Sequence, residues 1–225
     1  MTMPNSAMIF AAGFGTRMGQ LTRSLPKPMI PLAGRPMIDH SAEILRRAGV
    51  RTIVANTHHL ADKIEPHLKS LDIGFQREQP EILDTGGGLK NALPLLGPQP
   101  VITMNPDVCW QGANPVSRLL DSWQHDMAAL LLLIPADVAL GTLHKGDFSL
   151  EHGQVRRNGP YIYSGTQIIR TDRLGEIEDQ AFSLNRYWDL LAKDGPIHGL
   201  IYDGTWCDAG TPEGLQAAEK MLRRV

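Results

Sequence analysis

Two glycines, an arginine and a lysine stand close together in "AAGFGTRMGQLTRSLPKPMIPLAGRP", positions 11–36 of the chain. Gly13 and Gly15 allow the backbone to approach an anion and turn N–H groups towards it. Arg17 adds a forked cation, and Lys27 a point charge held between Pro26 and Pro28. That is the chemistry of a phosphate site, but neither common phosphate loop accounts for it. The dinucleotide pattern G-x-G-x-x-G needs a glycine where this chain has Met18, then an unbroken helix and an acidic residue after the next strand. Pro26, Pro28 and Pro31 break any such helix, and the second apolar run ends "NTHH". The pattern GxxxxGK[ST] is absent too. The stretch reads instead as a loop that wraps phosphates and then carries Lys27 back to them on a stiff, extended tail.

Other stretches hold groups that could serve the same site. "LDTGGGLKN" spends three consecutive glycines, an entropic cost that a plain loop does not explain. "MNPDVCW" and "GTWCDAGTPEG" each place an aspartate, Asp107 and Asp208, at the end of a strand. Magnesium takes one or two carboxylates together with phosphate oxygens and waters, so one aspartate from each of two neighbouring strand ends would suit Mg2+. A lone aspartate after a strand also serves as a cap. The eight histidines show no metal-binding spacing, and the adjacent His58 and His59 read as structural or substrate-adjacent. Cys109 and Cys207 form no CxxC and read as passive thiols of a reducing compartment.

Short apolar runs alternate with amphipathic stretches, which predicts an α/β fold of one domain over residues 1–225, with a mostly parallel central sheet. "AMIFAAG", "VRTIVANT", "IGFQRE" and "PVITMNPD" read as its first four strands, and "MAALLLLIP" as a later buried one. "MIDHSAEILRRAG" and "LADKIEPHLKSL" read as helices, and "GGGLKNALPLLG" as a short helix opened by a glycine turn. "FSLEHGQVRRNGPYIYSGTQIIR" alternates and contains two turn signals, which predicts a small antiparallel insertion. "TPEGLQAAEKMLRRV" has a Thr cap followed by Pro, the start of a terminal helix. Formal charge is −2 and hydrophobic content 42%, so no general nucleic-acid or membrane binder is expected. The longest apolar run, Met127–Pro135, is about half of a membrane span. A soluble, cytoplasmic and monomeric protein is the expectation.

Residues 8–40 resemble the signature of the sugar-phosphate nucleotidyltransferases, "LAAGxGxRMxxLT…PKPMxPxxGxPM", with Phe10 where leucine is usual. The resemblance implies a single-domain, Rossmann-like, three-layer nucleotide-diphospho-sugar transferase fold. It also implies an NTP and a sugar 1-phosphate as partners and Mg2+ as cofactor. Ala11, Ala12, Gly13, Gly15 and Thr16 would then wrap the triphosphate, while the catalytic residues Arg17 and Lys27 neutralise charge. Gln79, Thr85, Gly86 and Gly87 would meet the base. Asp107 and Asp208 would hold the metal. Asn105, Gly146, Asp147, Ser164 and Gly165 would meet the sugar. Many members also carry an E-x-K-P segment whose lysine grips the sugar phosphate. This chain has "RRNGPYIYSG" there, leaving Arg156, Arg157 or Lys145 as substitutes or as solvated charges. "LDTGGGLKNALPLLG", "GDFSL", "YSGTQII" and "FSLN" resemble the short uridylyltransferases of N-acetylmuramic acid 1-phosphate, which also lack that lysine. UTP with that sugar phosphate is therefore the first expectation. Mannose-1-phosphate guanylyltransferases and glucose-1-phosphate thymidylyl- or uridylyltransferases share the skeleton and stand as alternatives. An inactive nucleotide-sugar-binding regulatory module would show a broken aspartate pair or a lost loop cation, and all four residues are present.

Overall fold

The structure is a computed structural model that describes residues 3–97 and 100–223. The first apolar run forms β1 (Ser6–Phe10). Beyond it the glycine-rich stretch folds through two 3₁₀ turns, Thr16–Thr22 and Lys27–Met29, into a hairpin of β2 (Pro31–Leu32) and β3 (Arg35–Pro36). The expected extended tail is thus replaced by a tight turn at Lys27, since the fixed φ of Pro28 suits the second position of a helical turn. There follow α1 (Met37–Arg47), β4 (Thr52–Thr57), α2 (Ala61–Ser70), β5 (Gly74–Arg77), α3 (Asp84–Leu96), β6 (Val101–Met104), β7 (Val108–Gln111), α4 (Pro115–Ser122) and β8 (Ala129–Pro135). The insertion is β9 (Phe148–Glu151), β10 (Gln154–Arg157) and β11 (Tyr161–Ile169). Last come α5 (Leu184–Leu191), β12 (His198–Ile201), β13 (Thr205–Asp208) and α6 (Pro212–Leu222). In α6, Thr211 caps the helix through Gly214 N–H and Pro212 opens it.

Nine strands form one sheet in the order β5–β4–β1–β6–β11–β8–β12–β10–β9. Neighbours β5, β4, β1 and β6 run parallel, as do β8 and β12, and the remaining pairs are antiparallel. The sheet is therefore mixed, with the expected parallel arrangement concentrated in the half that carries the glycine loop. Alternation along each strand divides the core in two. Ala7, Ile9, Ile53, Ala55, Leu130 and Leu132 pack with α1, α2 and α4. Met8, Val54, Leu131 and Leu133 pack with α3 and α5 on the other face. A third cluster joins Ala218 and Met221 of α6 to Met18, Ile30, Leu32, Cys109 and Cys207. Among the described residues no helix is long and apolar enough to cross a membrane.

Two departures from the predicted elements shape the site. Asp107 does not end a strand: β6 stops at Met104, the chain turns through Asn105–Asp107, and β7 then pairs antiparallel with β13 as a separate two-stranded ladder. The triple glycine does not form a turn before α3 but lies inside it. Gly86 and Gly87 donate their N–H groups to Phe182 O at 2.8 and 3.0 Å, where the 180–182 segment crosses the helix. A Cβ on Gly87 would stand 2.1 Å from the Gln180 carbonyl oxygen, a backbone atom. Gly87→Ala gains about 1 kcal/mol of helix propensity. The overpacking costs about 1–3 kcal/mol. We expect a net loss of stability, measured as a lower urea midpoint at unchanged m-value.

Candidate active site

Three hollows lie side by side beyond the carboxyl ends of β1, β4 and β6, where open α/β sheets bind ligands. The first, about 300 Å³, is lined by Ala11, Ala12, Gly13, Gly15, Thr16, Arg17, Lys27, Asn56, Thr85, Asn105 and Asp107. The second, about 230 Å³, is lined by Phe10, Thr85, Asn105, Asp147, Phe148, Tyr163, Leu184, Asn185 and Trp188. The third, also about 230 Å³, is lined by Arg17, Asn105, Asp107, His144, Asp147, Ser164, Gly165 and Asp208. Asn105 borders all three. Most of the residues singled out in the sequence are thus gathered in one place. Four are not. Gln79 is exposed in a separate hollow of about 440 Å³ with His58, Asp62 and Arg77. Gly86 and Gly87 are buried with their N–H groups already engaged. Gly146 is absent from all three linings, and its backbone packs against Gly159. Arg156, Arg157 and Lys145 also line none of the three.

The charged centre is built from four side chains. Lys27 Nζ contacts Asp107 Oδ2, while Arg17 reaches Asp107 Oδ2 at 3.6 Å and Asp208 Oδ2 at 3.3 Å. Lys27 is 13% exposed and Arg17 57%, so the lysine forms the floor and the arginine the mouth. The β7–β13 ladder sets the spacing: Ala209 N donates to Asp107 O at 2.8 Å, and Asp208 stands opposite Val108. Gly15, in the left-handed region at φ 64°, returns the cation to the loop. A Cβ there would lie 2.7 Å from Thr22 Cγ2 and 3.0 Å from Lys27 Cβ, so only glycine lets the Lys27 turn close on it. Gly210 does the same for the carboxylates. Its N–H donates to Asp208 Oδ1 at 2.7 Å. A Cβ on it would fall 2.6 Å from Arg17 Nη2, 2.6 Å from Asp208 Oδ1 and 2.8 Å from Asp107 Oδ2. Oxygens of both aspartates therefore converge on one point, a hard-donor pair of the kind magnesium accepts.

Asn56, Glu78 and Gly210 escaped the sequence reading. Asn56, at the end of β4, accepts from Ala11 N at 2.7 Å and donates to Glu78 Oε1 at 2.7 Å. Leu83 N donates to Glu78 Oε2 at 2.8 Å. Burial pushes the Glu78 carboxyl above its ordinary range, opposed by those two hydrogen bonds. The relay ties the start of the glycine loop to the turn before α3. Its only trace in the sequence is an asparagine after the apolar residues of β4, a mark shared by many caps. Beside the third hollow, β11 shifts register against β8 between Tyr163 and Gln167, a bulge that brings Ser164 and Gly165 to the site. Asn105 N donates to Gly165 O at 2.9 Å and pins that bulge. His58 Nδ1 meets Glu78 O, His59 Nε2 meets Thr22 O, and both rings pack on Phe14, which assigns them a structural place.

A loop of free N–H groups at parallel strand ends, faced by paired cations and carboxylates, defines a protein that handles nucleotide phosphates. Comparison with known proteins agrees. Residues 7–145 match the MobA-like NTP transferase domain. The chain is 36% identical to N-acetylmuramate alpha-1-phosphate uridylyltransferase of Caulobacter vibrioides over 97% of each protein. It is 32% identical to the protein of that description from Neisseria meningitidis serogroup B, over 96% of this chain and 97% of the other. The solved UDP-glucose pyrophosphorylase from Acinetobacter baumannii shares the fold, with a TM-score of 0.78 at 18% identity over 96% of this chain and 92% of that one. The chain belongs to the MobA-like NTP transferase family and is a sugar-1-phosphate nucleotidyltransferase.

Gly210→Ala forces Arg17 and the two carboxylates apart, and turnover should fall by at least about tenfold, the scale of misplacing a charged group. The thermal midpoint should move little, which separates this loss from unfolding. Glu78 gives a pH signature. Its native pKa is raised, so its contribution to stability is fully present below the ordinary glutamate value and is lost as pH rises through the native value. Glu78→Gln should flatten that part of the curve of urea midpoint against pH.

Proposed function

We propose that the first hollow takes UTP, that the other two take N-acetylmuramic acid 1-phosphate, and that the protein joins them into a UDP-sugar with release of pyrophosphate. The observation that carries this reading is the meeting of Arg17, Lys27, Asp107 and Asp208 at the seam between the first and third hollows. A nucleotide laid on the glycine loop has its phosphates directed at that seam, and an acceptor in the other hollows approaches it from the opposite side. Similarity along nearly the whole chain to two uridylyltransferases of that sugar phosphate supports the choice of substrates.

In this reading no side chain acts as nucleophile. A phosphate oxygen of the acceptor attacks the α-phosphorus, a new P–O bond forms, and the bond from the α-phosphorus to the bridging oxygen breaks as pyrophosphate departs. Backbone N–H groups of residues 12–16 hold the triphosphate. Lys27, fixed by the turn that packs on Gly15, offers its charge to the α-phosphate without moving far, and the exposed Arg17 follows the leaving pyrophosphate. Asn105, bordering all three hollows, orients the acceptor against the nucleotide. Asp107 and Asp208 are the residues that would hold Mg2+, which supplies further positive charge to the phosphate oxygens when bound.

Pyrophosphate release with UTP, GTP and dTTP against muramic, glucosamine, mannose and glucose 1-phosphates tests the assignment. The UTP and N-acetylmuramic acid 1-phosphate pair should give the highest kcat/KM, and no release with any pair overturns the reading. Lys27→Ala and Asp107→Ala should each stay folded by circular dichroism and lose at least about a hundredfold in turnover, the scale of one preorganised charge. Near-normal turnover of a folded Lys27→Ala protein removes that residue from the mechanism.

A further inference from the structure

The second hollow gathers four aromatic residues, Phe10, Phe148, Tyr163 and Trp188. Phe10, Phe148, Leu184 and Trp188 supply its apolar lining beside the polar Thr85, Asn105, Asp147 and Asn185, and the N–H groups of Trp188 and Leu184 are already paired. Trp188 Nε1 donates to the buried Gln167 Oε1 at 2.9 Å, and Leu184 N donates to Thr85 Oγ1 at 2.9 Å. Trp188 stands edge-on to Phe148, with ring centroids 5.8 Å apart at 73°, and to Tyr163 at 5.1 Å and 85°. These rings are braced from outside. The Arg157 guanidinium lies 5.3 Å from the Phe148 centroid and 5.6 Å from that of Trp188. It is tied to Asn185 Oδ1 at 2.5 Å and Asp189 Oδ1 at 3.0 Å. Arg157 faces a different hollow, of about 220 Å³, on the far side of the Phe148–Trp188 pair. It therefore does not line the acceptor hollow and acts on it through the rings and through Asn185, which it holds.

We infer that the second hollow is the subsite for the acyl group of the acceptor, a 2-acylamino hexose 1-phosphate, and that Arg157 is a positioning residue acting through Phe148, Trp188 and Asn185. The inference rests on the reading above that the acceptor is a sugar 1-phosphate. A hydroxyl pressed against this wall gives up its water partners and gains none. An acyl methyl there removes apolar surface of both partners from water. Asn105 and Asn185, both lining the hollow, offer an amide acceptor for the N–H of an acylamino group and, from Asn185, an amide donor for its C=O. A hollow of about 230 Å³ is too small for a nucleotide and sized for one edge of a substituted sugar. The cation over both ring faces explains why a hairpin arginine is pinned by two side chains instead of left to solvent.

The alternative use of such a wall is stacking on the C–H face of any pyranose ring, and the two uses separate by substrate. The test measures kcat/KM and calorimetric Kd for N-acetylglucosamine 1-phosphate, N-acetylmuramic acid 1-phosphate and glucose 1-phosphate, with KM for UTP followed in parallel. The proteins compared are the wild type, Leu184→Ala, Arg157→Met and Arg157→Lys. Leu184→Ala should lose about tenfold for the acylated acceptors through KM and Kd, with less than about twofold for glucose 1-phosphate. Arg157→Met should lose about three- to tenfold with the same selectivity, Arg157→Lys should recover part of it, and KM for UTP should stay unchanged. Arg157 is exposed, so its variants keep the test open if Leu184→Ala does not fold. Equal losses for all acceptors overturn the acyl subsite in favour of ring stacking. Unchanged values in the Arg157 variants overturn the positioning role. Absence of wild-type turnover with every acceptor removes the underlying function and the subsite with it.

Discussion

The β7–β13 ladder holds Asp107 and Asp208 within reach of one another, and the rest of the site follows from having two carboxylates there. Like charges at that separation are unfavourable unless opposite charge is supplied, and Lys27 and Arg17 come from the glycine stretch to supply it. The ladder is short and lies outside the main sheet, so it depends on what packs beneath it. Cys109 and Cys207 face each other across it and sink into the cluster that α6 shares with Met18, Ile30 and Leu32. One apolar cluster thereby clamps the carboxylates, the terminal helix and the segment carrying both cations. The thiols serve as packing: burial pushes Cys207 up to about 12 and Cys109 further still, so neither forms a thiolate readily.

The mixed sheet divides labour along its length. Its parallel half ends in backbone N–H groups and the glycine loop, which suit phosphates. Its other half contributes the antiparallel insertion, whose bulge at Ser164–Gly165 and ring-lined wall suit a bulkier, less charged partner. β11 lies where the halves meet, antiparallel to both β6 and β8, and Asn105 is fastened to its bulge. That single asparagine touches every compartment because it stands at the join.

Buried polar relays complete the frame. Asn56 and Glu78 are both buried, with Asn56 bordering the first hollow, and together they fix the first residue of the glycine loop and the turn leading into α3. Leaving either unpaired in the core costs more than the pair itself contributes, which is the usual reason such networks keep a loop in one conformation.

Local chemistry is what the amino-acid sequence determined by itself. The glycine loop with Arg17 and Lys27, the strand-and-helix alternation and the Thr211–Pro212 helix start were legible, because each depends on residues adjacent in the chain, whereas the expectation that Asp107 ends a strand was not met. The triple glycine was misread as a turn: its need for glycine arises from the 180–182 segment, almost a hundred residues away, pressing on α3. Gly210, Asn56 and the Arg157 brace were invisible for the same reason, since their partners are distant in sequence and near only after folding. The absence of Gln79 from the hollow beside the glycine loop was equally unreadable. Which residues share a cavity is a property of packing, and only the tertiary structure decides it, because side chains from many elements must be brought together before any can be near another.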